Sequence, residues 1–434
     1  MNYFRAFYYL QAMRRRAFWE PSRLKKFQEN RLRAMIHHAY DSSPFYHQRF
    51  RKMGLKPGDI ETADDLRKVP VVRKEELATN VESVLSSRFR VGELRVSRTS
   101  GSTGKPLNIY MTQGENEFRK AKHLRAQMAL GQRPWDKWVT ITSPLHFAET
   151  SGLQRLLRLY GVYAVSVFDD MDKQFSRFQE LKPDVIDGYS NSILLLAKEV
   201  KKRGNTGIRP RFLVSGAELI DGGSRRFVED VFGAPFYDQY ACVEFERLAW
   251  QCKEKSAYHI DADSVVMQFV DENGEEAGPG EKGEVVCTSL FNYAMPFIRY
   301  GLDDVGVPSE NSQCKCGRTL PLMKILEGRK TSLLNLPGGR VLAPFAFMLA
   351  VWTFKFYDLI DLYRVVQKKT DLIVFRLKMK AQVLDEGLIT KDLQEHIRTV
   401  LKLRPEEVNV EVEFVEDIPL DKNGKFRIVI SELD

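Results

Sequence analysis

One loop-forming stretch governs the interpretation of this chain: Ser97-Arg98-Thr99-Ser100-Gly101-Ser102-Thr103-Gly104-Lys105-Pro106. It follows a β-branched run at 94–99 that is typical of a strand. Hydroxyl groups, glycines and a lysine in a tight loop supply donors that can surround a polyphosphate. The spacing is not that of a P-loop, because Pro106 stands where that motif has Ser or Thr. Taken alone, the loop is equally consistent with a Ser/Gly-rich surface turn.

Around this loop, from about residue 93 to 240, strand-like and helix-like segments alternate. The strand-like segments are 94–99, 138–142, 162–168, 185–187 and 212–215, and the helix-like segments are 115–130, 153–159, 172–181, 193–203 and 224–232. Such alternation predicts crossover units and a parallel sheet with helices on its faces.

The flanking regions have a different character. Residues 1–90 predict a helical preface, since apolar positions recur at helical spacing around Met35. Strand-like segments at 264–270 and 283–289 predict a mostly antiparallel β layer. Residues 330–434 combine strand-like 363–366, 372–377 and 408–414 with helix-like 390–401. The sequence therefore predicts an α/β fold: a large N-terminal domain (1–328) with parallel sheets flanked by helices plus a β layer, and a small C-terminal α+β domain (329–434).

Composition narrows the class of protein. A chain of 434 residues with 43% hydrophobic and 29% charged residues predicts two or three ordinary folded domains. No apolar run reaches the roughly 18 to 20 residues of a transmembrane helix, and the basic cluster near the start follows the apolar residues, which disfavours a signal peptide. Five cysteines are too few for a disulfide scaffold, so a reducing cytoplasm is expected.

The cysteines suggest a metal site. Cys252 and His259 lie in one segment, and Cys314 and Cys316 follow about 55 residues later within a tight Cys-x-Cys-Gly-Arg turn. Three thiols and one imidazole form a set suited to tetrahedral Zn²⁺, in an insertion at about 250–318, and four protein ligands would make the metal structural. Buried free cysteines beside a satisfied histidine are the alternative.

The net charge of +8 is a weak signal for an anionic partner. Its densest part is Arg14 to Arg16 and Arg23-Leu24-Lys25-Lys26, interleaved with aromatic residues near both runs. This pattern favours a packed, solvated helix face and leaves a peripheral contact with a membrane surface open. No aromatic-basic motif for nucleic acid is present.

The loop at 99–106 resembles the phosphate loop of the adenylate-forming superfamily of acyl-CoA synthetases, and further signatures follow in that family's order. The segments that resemble them are Val214-Ser215-Gly216-Ala217-Glu218 (adenine), Tyr240-Ala241-Cys242-Val243-Glu244 (YGxTE), Arg299-Tyr300-Gly301-Leu302-Asp303-Asp304 (RYxTGD), Gly328-Arg329 (hinge) and Asn423-Gly424-Lys425-Phe426-Arg427 (catalytic lysine). Two positions of this segment differ from the YGxTE pattern, because Ala241 stands in place of Gly and Val243 in place of Thr.

The resemblance implies a role for each matched residue. Phosphates would be bound by Thr99, Ser100, Gly101, Ser102, Thr103, Gly104 and Lys105, adenine by Ser215, Gly216, Ala217, Glu218 and Tyr240, Mg²⁺ by Glu244, and ribose by Asp304 and Arg329, with Lys425 driving adenylation. These roles match the chemistry, because joining a carboxylate to AMP builds negative charge on phosphorus and on departing pyrophosphate. The C-terminal domain would be mobile, as in the family.

The Cys/His set and the segment from His38 to Tyr46 resemble the phenylacetate-coenzyme A ligase subfamily, including CapK-type proteins of capsular polysaccharide assembly. The resemblance implies ATP, Mg²⁺ and structural Zn²⁺ as cofactors, coenzyme A as acyl acceptor and a small or aromatic acid as substrate. The chain departs from the phenylacetate enzymes at 143–152, where His146 and Glu149 would add polar groups to an acyl pocket. The hinge also differs from the family pattern, because Lys330-Thr331 follow Gly328-Arg329.

The expected function is thus an ATP-dependent, AMP-forming acid–thiol ligase, as a monomer or homodimer. One alternative passes the acyl group to an amine, a carrier protein or a sugar in polysaccharide biosynthesis. A non-catalytic nucleotide-sensing relative and a nucleic-acid or membrane-surface binder are the alternatives from other classes.

Overall fold

The computed structural model describes residues 2–99, 107–144, 147, 152–157, 159–204, 206–216, 218, 220–329, 334–342, 344–380, 385–419 and 426–433, with the backbone alone at 153, 155, 325–329, 341 and 345. The chain divides into two compact units. The first comprises Met1–Arg133 and Tyr237–Leu326, and the second comprises Pro134–Phe236 and Glu327–Asp434. The predicted boundary near residue 328 stays a prediction.

The α-helices and strands follow the predicted order closely. The helices are α1 (Tyr3–Arg16), α2 (Pro21–Ser42), α3 (Pro44–Lys52), α4 (Lys74–Thr79), α5 (Val81–Val84), α6 (Gln113–Leu130), α7 (Gly152–Leu157), α8 (Met171–Leu181), α9 (Ser190–Arg203), α10 (Gly222–Phe232), α11 (Pro344–Trp352) and α12 (Glu386–Leu401). The strands are β1 (Arg95–Arg98), β2 (Asn108–Met111), β3 (Trp138–Thr142), β4 (Val162–Ser166), β5 (Val185–Tyr189), β6 (Phe212–Gly216), β7 (Phe236–Cys242), β8 (Glu246–Gln251), β9 (Tyr258–Ile260), β10 (Val265–Val270), β11 (Gly283–Ser289), β12 (Tyr300–Pro308), β13 (Leu322–Arg329), β14 (Leu334–Asn335), β15 (Val341–Leu342), β16 (Ile360–Lys369), β17 (Leu372–Met379), β18 (Asn409–Phe414) and β19 (Val429–Ser431).

The first unit joins the predicted helical preface to the predicted β layer. Its strands lie in the order β10-β11-β12-β13-β9-β8-β7, and the pairs β10–β11, β11–β12, β13–β9, β9–β8 and β8–β7 are antiparallel. Tyr46 and Phe50 of α3 share a buried core with Phe297 and Tyr300. Helices α2 and α3 begin with proline, whose fixed φ suits a first helical turn.

The second unit contains the predicted parallel sheet, in the order β6-β5-β3-β4. The predicted series began with 94–99, but this segment, which contains β1, lies in the first unit and pairs antiparallel with β2. Buried side chains of α8 and α9, including Phe178 and Leu196, form one core with those of the strands, including Ile141. Gly188 near the end of β5 has a φ of 152°, and a Cβ there would collide with the backbone carbonyl of Ile141. The close approach of β5 and β3 therefore requires glycine at this position.

The C-terminal part of the second unit forms a small α+β layer. Its sheet has the order β18-β17-β16-β19, and α11 and α12 share a buried core with it. Helix α11 is not predicted by the sequence, because its run PFAFMLAVW is apolar at nearly every position and shows no periodicity. Within the described ranges, no helix is long and apolar enough to cross a membrane.

A cluster of buried charges joins the helices of the first unit to its strands. Asp261 and Asp263 lie between β9 and β10, and both are fully buried. Arg125 of α6 donates to both carboxylates, with 2.9 Å between its Nη1 atom and Oδ1 of Asp263. Arg16 at the end of α1 donates to Oδ2 of Asp263 over 2.9 Å. Two helices are thus held to one short segment.

Asp261 also accepts hydrogen bonds from strand β8. Trp250 Nε1 donates to Oδ1 over 2.8 Å, and Arg247 Nη2 donates to Oδ2 over 3.3 Å. Burial lowers the pKa of Arg247 to about 10, so its guanidinium stays charged at neutral pH. Burial raises the pKa of Asp263, but the guanidinium groups of Arg125 and Arg16 outweigh burial and hold this pKa below its ordinary value.

We predict that Asp263→Asn lowers the free energy of unfolding by about 3 kcal/mol, because it removes the counter-charge of the buried Arg16 and one of the two counter-charges of Arg125. Urea denaturation of the full chain at neutral pH measures this. Since the folded-state pKa of Asp263 is depressed, its contribution is present above the unfolded-state pKa and is lost as the pH falls through the folded-state value.

Glu93→Gln is the matched control, because it removes a carboxylate that is 71% exposed and lies 3.8 Å from Arg90. The free energy of unfolding should change by less than about 0.5 kcal/mol. Equal losses in the two variants would contradict the assignment of the buried cluster as a structural centre.

Candidate functional site

The base of the loop at 100–106 is closed by Thr99 and Leu107. Strands β1 and β2 pair as an antiparallel hairpin with Arg98 opposite Asn108. Thr99 N donates to the carbonyl of Leu107 over 3.0 Å, and Leu107 N donates to the Thr99 hydroxyl over 2.8 Å. The hydroxyl of Thr99, which the sequence assigns to phosphate binding, thus accepts a backbone hydrogen bond at the foot of the loop.

Glu244 lies in the turn between β7 and β8, and its side chain is buried. The hydroxyl of Tyr300, at the start of β12, donates to Oε1 of Glu244 over 3.0 Å. Among the described residues, no hydrogen bond or ion pair occupies Oε2. Two predicted motifs, YGxTE and RYxTGD, therefore meet, and they leave one carboxylate oxygen of Glu244 of the kind that binds a hard cation.

Cations of α6 hold the backbone on both sides of Glu244. Arg119 donates from Nη1 to the carbonyl of Glu244 over 3.1 Å and from Nη2 to that of Val243 over 2.6 Å. Lys122 Nζ donates to the carbonyl of Phe245 over 3.2 Å. Burial lowers the pKa of Lys122 to about 8, which leaves it mostly charged at neutral pH. The orientation of the Glu244 turn is thus set by two buried side chains.

Tyr240 and Asp304 form a second pair between the same two motifs. The Tyr240 hydroxyl donates to Oδ2 of Asp304 over 2.6 Å. The Tyr240 ring is buried, whereas Asp304 is half-buried. Burial, then the charge of Asp304, raise the pKa of Tyr240 well above its ordinary value, so its hydroxyl stays protonated and acts as a donor.

In the second unit, the carboxyl ends of β5 and β6 lie side by side. Gly188 is opposite Ser215, and Tyr189 is opposite Gly216. In open parallel sheets, this edge is where ligands bind. Ser215 and Gly216, both predicted to contact adenine, therefore stand at an edge suited to that task.

Glu218 links this edge to the C-terminal part of the chain. Its Oε2 accepts from the backbone N and from Nδ2 of Asn191, over 3.1 and 3.2 Å, and its Oε1 accepts from the backbone N of Phe426 over 2.9 Å. Asn191 Nδ2 also donates to the carbonyl of Phe426 over 2.8 Å. Both backbone polar groups of Phe426, the residue that follows Lys425, are held by this pair.

Several predicted site residues lie outside the described ranges. They are Ser100, Gly101, Ser102, Thr103, Gly104, Lys105, His146, Glu149, Ala217 and Lys425. Arg329 ends β13, and its backbone alone is described. Their proposed roles remain predictions.

The predicted metal ligands come together in the first unit. The ligand atoms of Cys252, His259, Cys314 and Cys316 all lie within 4.8 Å of one another. The two sulfurs of Cys252 and Cys314 are 3.6 Å apart, and Cys316 Sγ is 3.3 Å from His259 Nε2. Neighbouring ligands of a tetrahedral zinc ion lie roughly 3.5 to 3.8 Å apart, given bonds of about 2.0 to 2.3 Å. The four side chains therefore fit a closed metal site.

The ionisation of His259 and Cys316 agrees with this use, whereas burial raises the pKa of Cys252 to about 12. Burial, followed by the charge of Arg318, lowers the pKa of His259 to about 4, so the ring is neutral and can ligate a metal. Burial raises the pKa of Cys316, but hydrogen bonds from Arg318 outweigh burial and lower this pKa overall. Cys242 and Cys287 lie outside the cluster, and Cys287 is fully buried.

Some residues that shape the site are not assigned to it by the sequence. Tyr300 stands inside a predicted motif, and Asn191 lies at the start of α9, two residues after β5, so the sequence positions of both pointed to the site. Nothing in the sequence indicated that Arg119 and Lys122 lie at the site, because cations on a helix are usually solvated.

Comparisons with known proteins connect this geometry to a family. A family model described as the CapK C-terminal domain matches residues 349–432. The chain is 27% identical to the phenylacetate-coenzyme A ligase of Pseudomonas putida over 395 residues, 87% of this chain and 88% of the relative. It is 28% identical to the phenylacetate-coenzyme A ligase of Thermus thermophilus over 326 residues, 74% and 73% of the two chains.

Solved structures show the same fold. A 2-hydroxyisobutyryl-CoA ligase with a bound acyl-AMP superimposes with a TM-score of 0.80 at 19% identity, over 96% of this chain and 91% of that one. The anthranilate CoA ligase AuaEII superimposes with a TM-score of 0.57 at 16% identity, over 78% and 67%. The chain is thus similar to phenylacetate-coenzyme A ligases along most of its length, matches the CapK C-terminal domain near its end, and shares the fold of solved CoA ligases.

Proposed function

We propose that this protein is an ATP-dependent, AMP-forming ligase that activates a carboxylic acid as acyl-AMP and transfers the acyl group to coenzyme A. The relationship to phenylacetate-coenzyme A ligases over 87% of the chain is the observation that carries this proposal. The cysteine usage supports the further expectation of a cytoplasmic enzyme.

In this proposal the nucleotide is bound by the motifs in the order of the family. Thr99, Ser100, Gly101, Ser102, Thr103, Gly104 and Lys105 bind phosphates, Ser215, Gly216, Ala217, Glu218 and Tyr240 contact adenine, and Asp304 and Arg329 bind the ribose hydroxyls. The half-buried carboxylate of Asp304, oriented by the Tyr240 hydroxyl, is a suitable acceptor for a ribose hydroxyl.

Glu244 is the proposed ligand for Mg²⁺. Its Oε1 is occupied by the Tyr300 hydroxyl, which would leave Oε2 to face the cation. A bound magnesium ion neutralises the charge that develops on the phosphates. The Arg119 and Lys122 contacts would keep the turn in one orientation while phosphate charge shifts during the reaction.

Lys425 is the proposed catalytic cation, which would bridge the acid's carboxylate and the α-phosphate. Because Phe426 is its neighbour in the chain, whatever holds Phe426 limits where Lys425 can reach. The hydrogen bonds from Asn191 and to Glu218 support a role for this pair as positioning residues in adenylation.

The acid is proposed to be small or aromatic. His146 and Glu149 would add polar groups near the acyl pocket, which suits a hydroxylated or charged acid better than plain phenylacetate. The proposed Zn²⁺ at Cys252, His259, Cys314 and Cys316 is structural, since four protein ligands leave no position for a substrate.

A second acceptor class is favoured by the match to the CapK C-terminal domain at residues 349–432. In that version the acyl group passes from AMP to an amine, a carrier protein or a sugar in polysaccharide biosynthesis. The first half-reaction is the same, so the two versions differ only in the acceptor.

ATP–pyrophosphate exchange across a panel of aromatic, hydroxy, fatty and sugar acids tests the proposal. Exchange with one acid, and thioester formation on adding coenzyme A, would support the acid–thiol ligase. Exchange without thioester formation would indicate that the acceptor is an amine, a carrier protein or a sugar. No exchange with any acid would contradict both and favour a nucleotide-sensing relative.

Lys425→Ala should reduce acid-dependent pyrophosphate release by about 100-fold or more, because the charge on the α-phosphate loses its partner. Thioester formation from supplied acyl-AMP should change little. Lys422→Ala, three residues away in the same segment, is the control and should leave both half-reactions intact. Equal loss of both half-reactions in Lys425→Ala would overturn the assigned role.

Asn191→Ala should slow pyrophosphate release by roughly tenfold, because the carbonyl of Phe426 loses its donor and Glu218 loses a partner. The second half-reaction should be nearly unchanged. Asn80→Ala removes a comparable hydrogen bond at the start of α5 and serves as control. If the two variants lose activity equally, Asn191 has only a structural role.

Cys314→Ser should reduce bound zinc from about one ion per chain to near zero, because a tetrahedral set loses one of its four ligands. Elemental analysis and thermal unfolding measure the two consequences, and stability should fall before acid specificity changes. Cys287→Ser, in β11, is the control that retains zinc. Absence of zinc from the unaltered protein would refute the site.

A further inference from the structure

Helix α1 carries aromatic side chains on its outward face. Phe4, Phe7 and Tyr8 are 90%, 61% and 69% exposed. Their spacing puts all three on one side of the helix, close to where Arg14 and Arg15 also project. These five residues, with Phe18, are called the α1 face below.

The exposure of these side chains follows from how α1 is attached. Leu10 and Met13, on the opposite side of the helix, are buried in one cluster with Phe118 of α6. Arg5 Nε donates to the buried carboxylate of Glu117 over 2.5 Å. The helix therefore cannot rotate to bury its aromatic residues without breaking an apolar contact and an ion pair.

The charge along residues 1–19 has one sign. Residues 1–19 contain no Asp or Glu, and Arg14 and Arg15 are exposed and have no ion-pair partner within the part of the chain that the structure describes. The guanidinium of Arg318 lies 5.2 Å from the ring of Phe18, which is itself 55% exposed. Aromatic residues therefore dominate one end of the face and cations the other.

We infer that the α1 face docks this protein on an anionic membrane surface. Phenylalanine and tyrosine side chains insert at the boundary of headgroups and acyl chains, and arginines remain with the lipid phosphates. A second copy of the chain is a poorer occupant, because the same face offers no acidic side chain to Arg14 and Arg15. This inference is independent of the proposed acyl transfer.

Vesicle sedimentation of the full chain tests the inference. At low salt the protein should bind vesicles of phosphatidylcholine with phosphatidylglycerol at least about tenfold more tightly than vesicles of phosphatidylcholine alone. Binding should weaken as salt is added, because ions screen the attraction. Failure to bind the anionic vesicles would overturn the inference.

Two sets of variants locate the contact. Phe4→Ser/Phe7→Ser/Tyr8→Ser and, separately, Arg14→Gln/Arg15→Gln should each weaken binding about tenfold or more. The matched controls alter exposed residues elsewhere and should bind like the unaltered chain: Trp135→Ser/Phe168→Ser for aromatic area and Arg51→Gln/Lys52→Gln for charge.

Thermal unfolding should be similar in all variants, since the altered side chains face solvent. Binding that survives both sets of α1 substitutions would overturn the inference. A second result would also overturn it: the unaltered chain does not bind vesicles but forms a concentration-dependent dimer, and the triple aromatic variant does not form this dimer. The α1 face would then contact a second copy of the chain.

Discussion

Two buried carboxylates, Asp261 and Asp263, are the constraint on which the first unit depends. They lie in the short segment between β9 and β10 and accept from Arg125 of α6 and Arg16 of α1. A buried charge that loses its partner costs several kcal/mol. The cluster therefore favours this docking of helices and strands, because another arrangement would leave buried charges unpaired.

Helix α6 extends this constraint to the candidate site. Arg119, Lys122 and Arg125 follow at intervals of three residues, and all three face inward. Arg125 binds the buried carboxylates, whereas the other two hold the backbone carbonyls on both sides of Glu244. Strand β8 makes a similar connection, because Trp250 donates to Asp261 and its ring lies 5.2 Å from that of His259. The position of Glu244 and the Cys/His cluster are thus linked to the same buried charges.

In the second unit, polar and apolar contacts act on the same residue. Glu218 and Asn191 hold the backbone of Phe426, and the Phe426 side chain is buried in the apolar core of the C-terminal layer. Hydrogen bonds to a carboxylate are stronger than neutral ones. Together these contacts fix the backbone next to position 425, as the proposed role of Lys425 requires.

Much of the fold follows from local pattern. The predicted strands and helices, such as β3 at Trp138–Thr142 and α6 at Gln113–Leu130, lie where the periodicity indicated, because core-facing side chains repeat every two or 3.6 residues. The four members of the Cys/His cluster were also predicted to come together, because Cys314 and Cys316 lie in a tight turn that can place two thiols on one metal, and the structure brings the four ligand atoms within 4.8 Å of one another. Helix α11 was not predicted, because a continuously apolar run shows no helical periodicity.

The sequence by itself determined the elements, their order, the motifs and the chemistry available to each. Only the tertiary structure decided that Tyr300 meets Glu244, that Tyr240 meets Asp304, and that cations of α6 turn inward. The physical reason is that periodicity records the burial of neighbours in the chain, whereas these partners are between 56 and 125 residues apart. Their contact depends on strand order and helix docking, and the residue type alone does not distinguish a buried arginine from a solvated one.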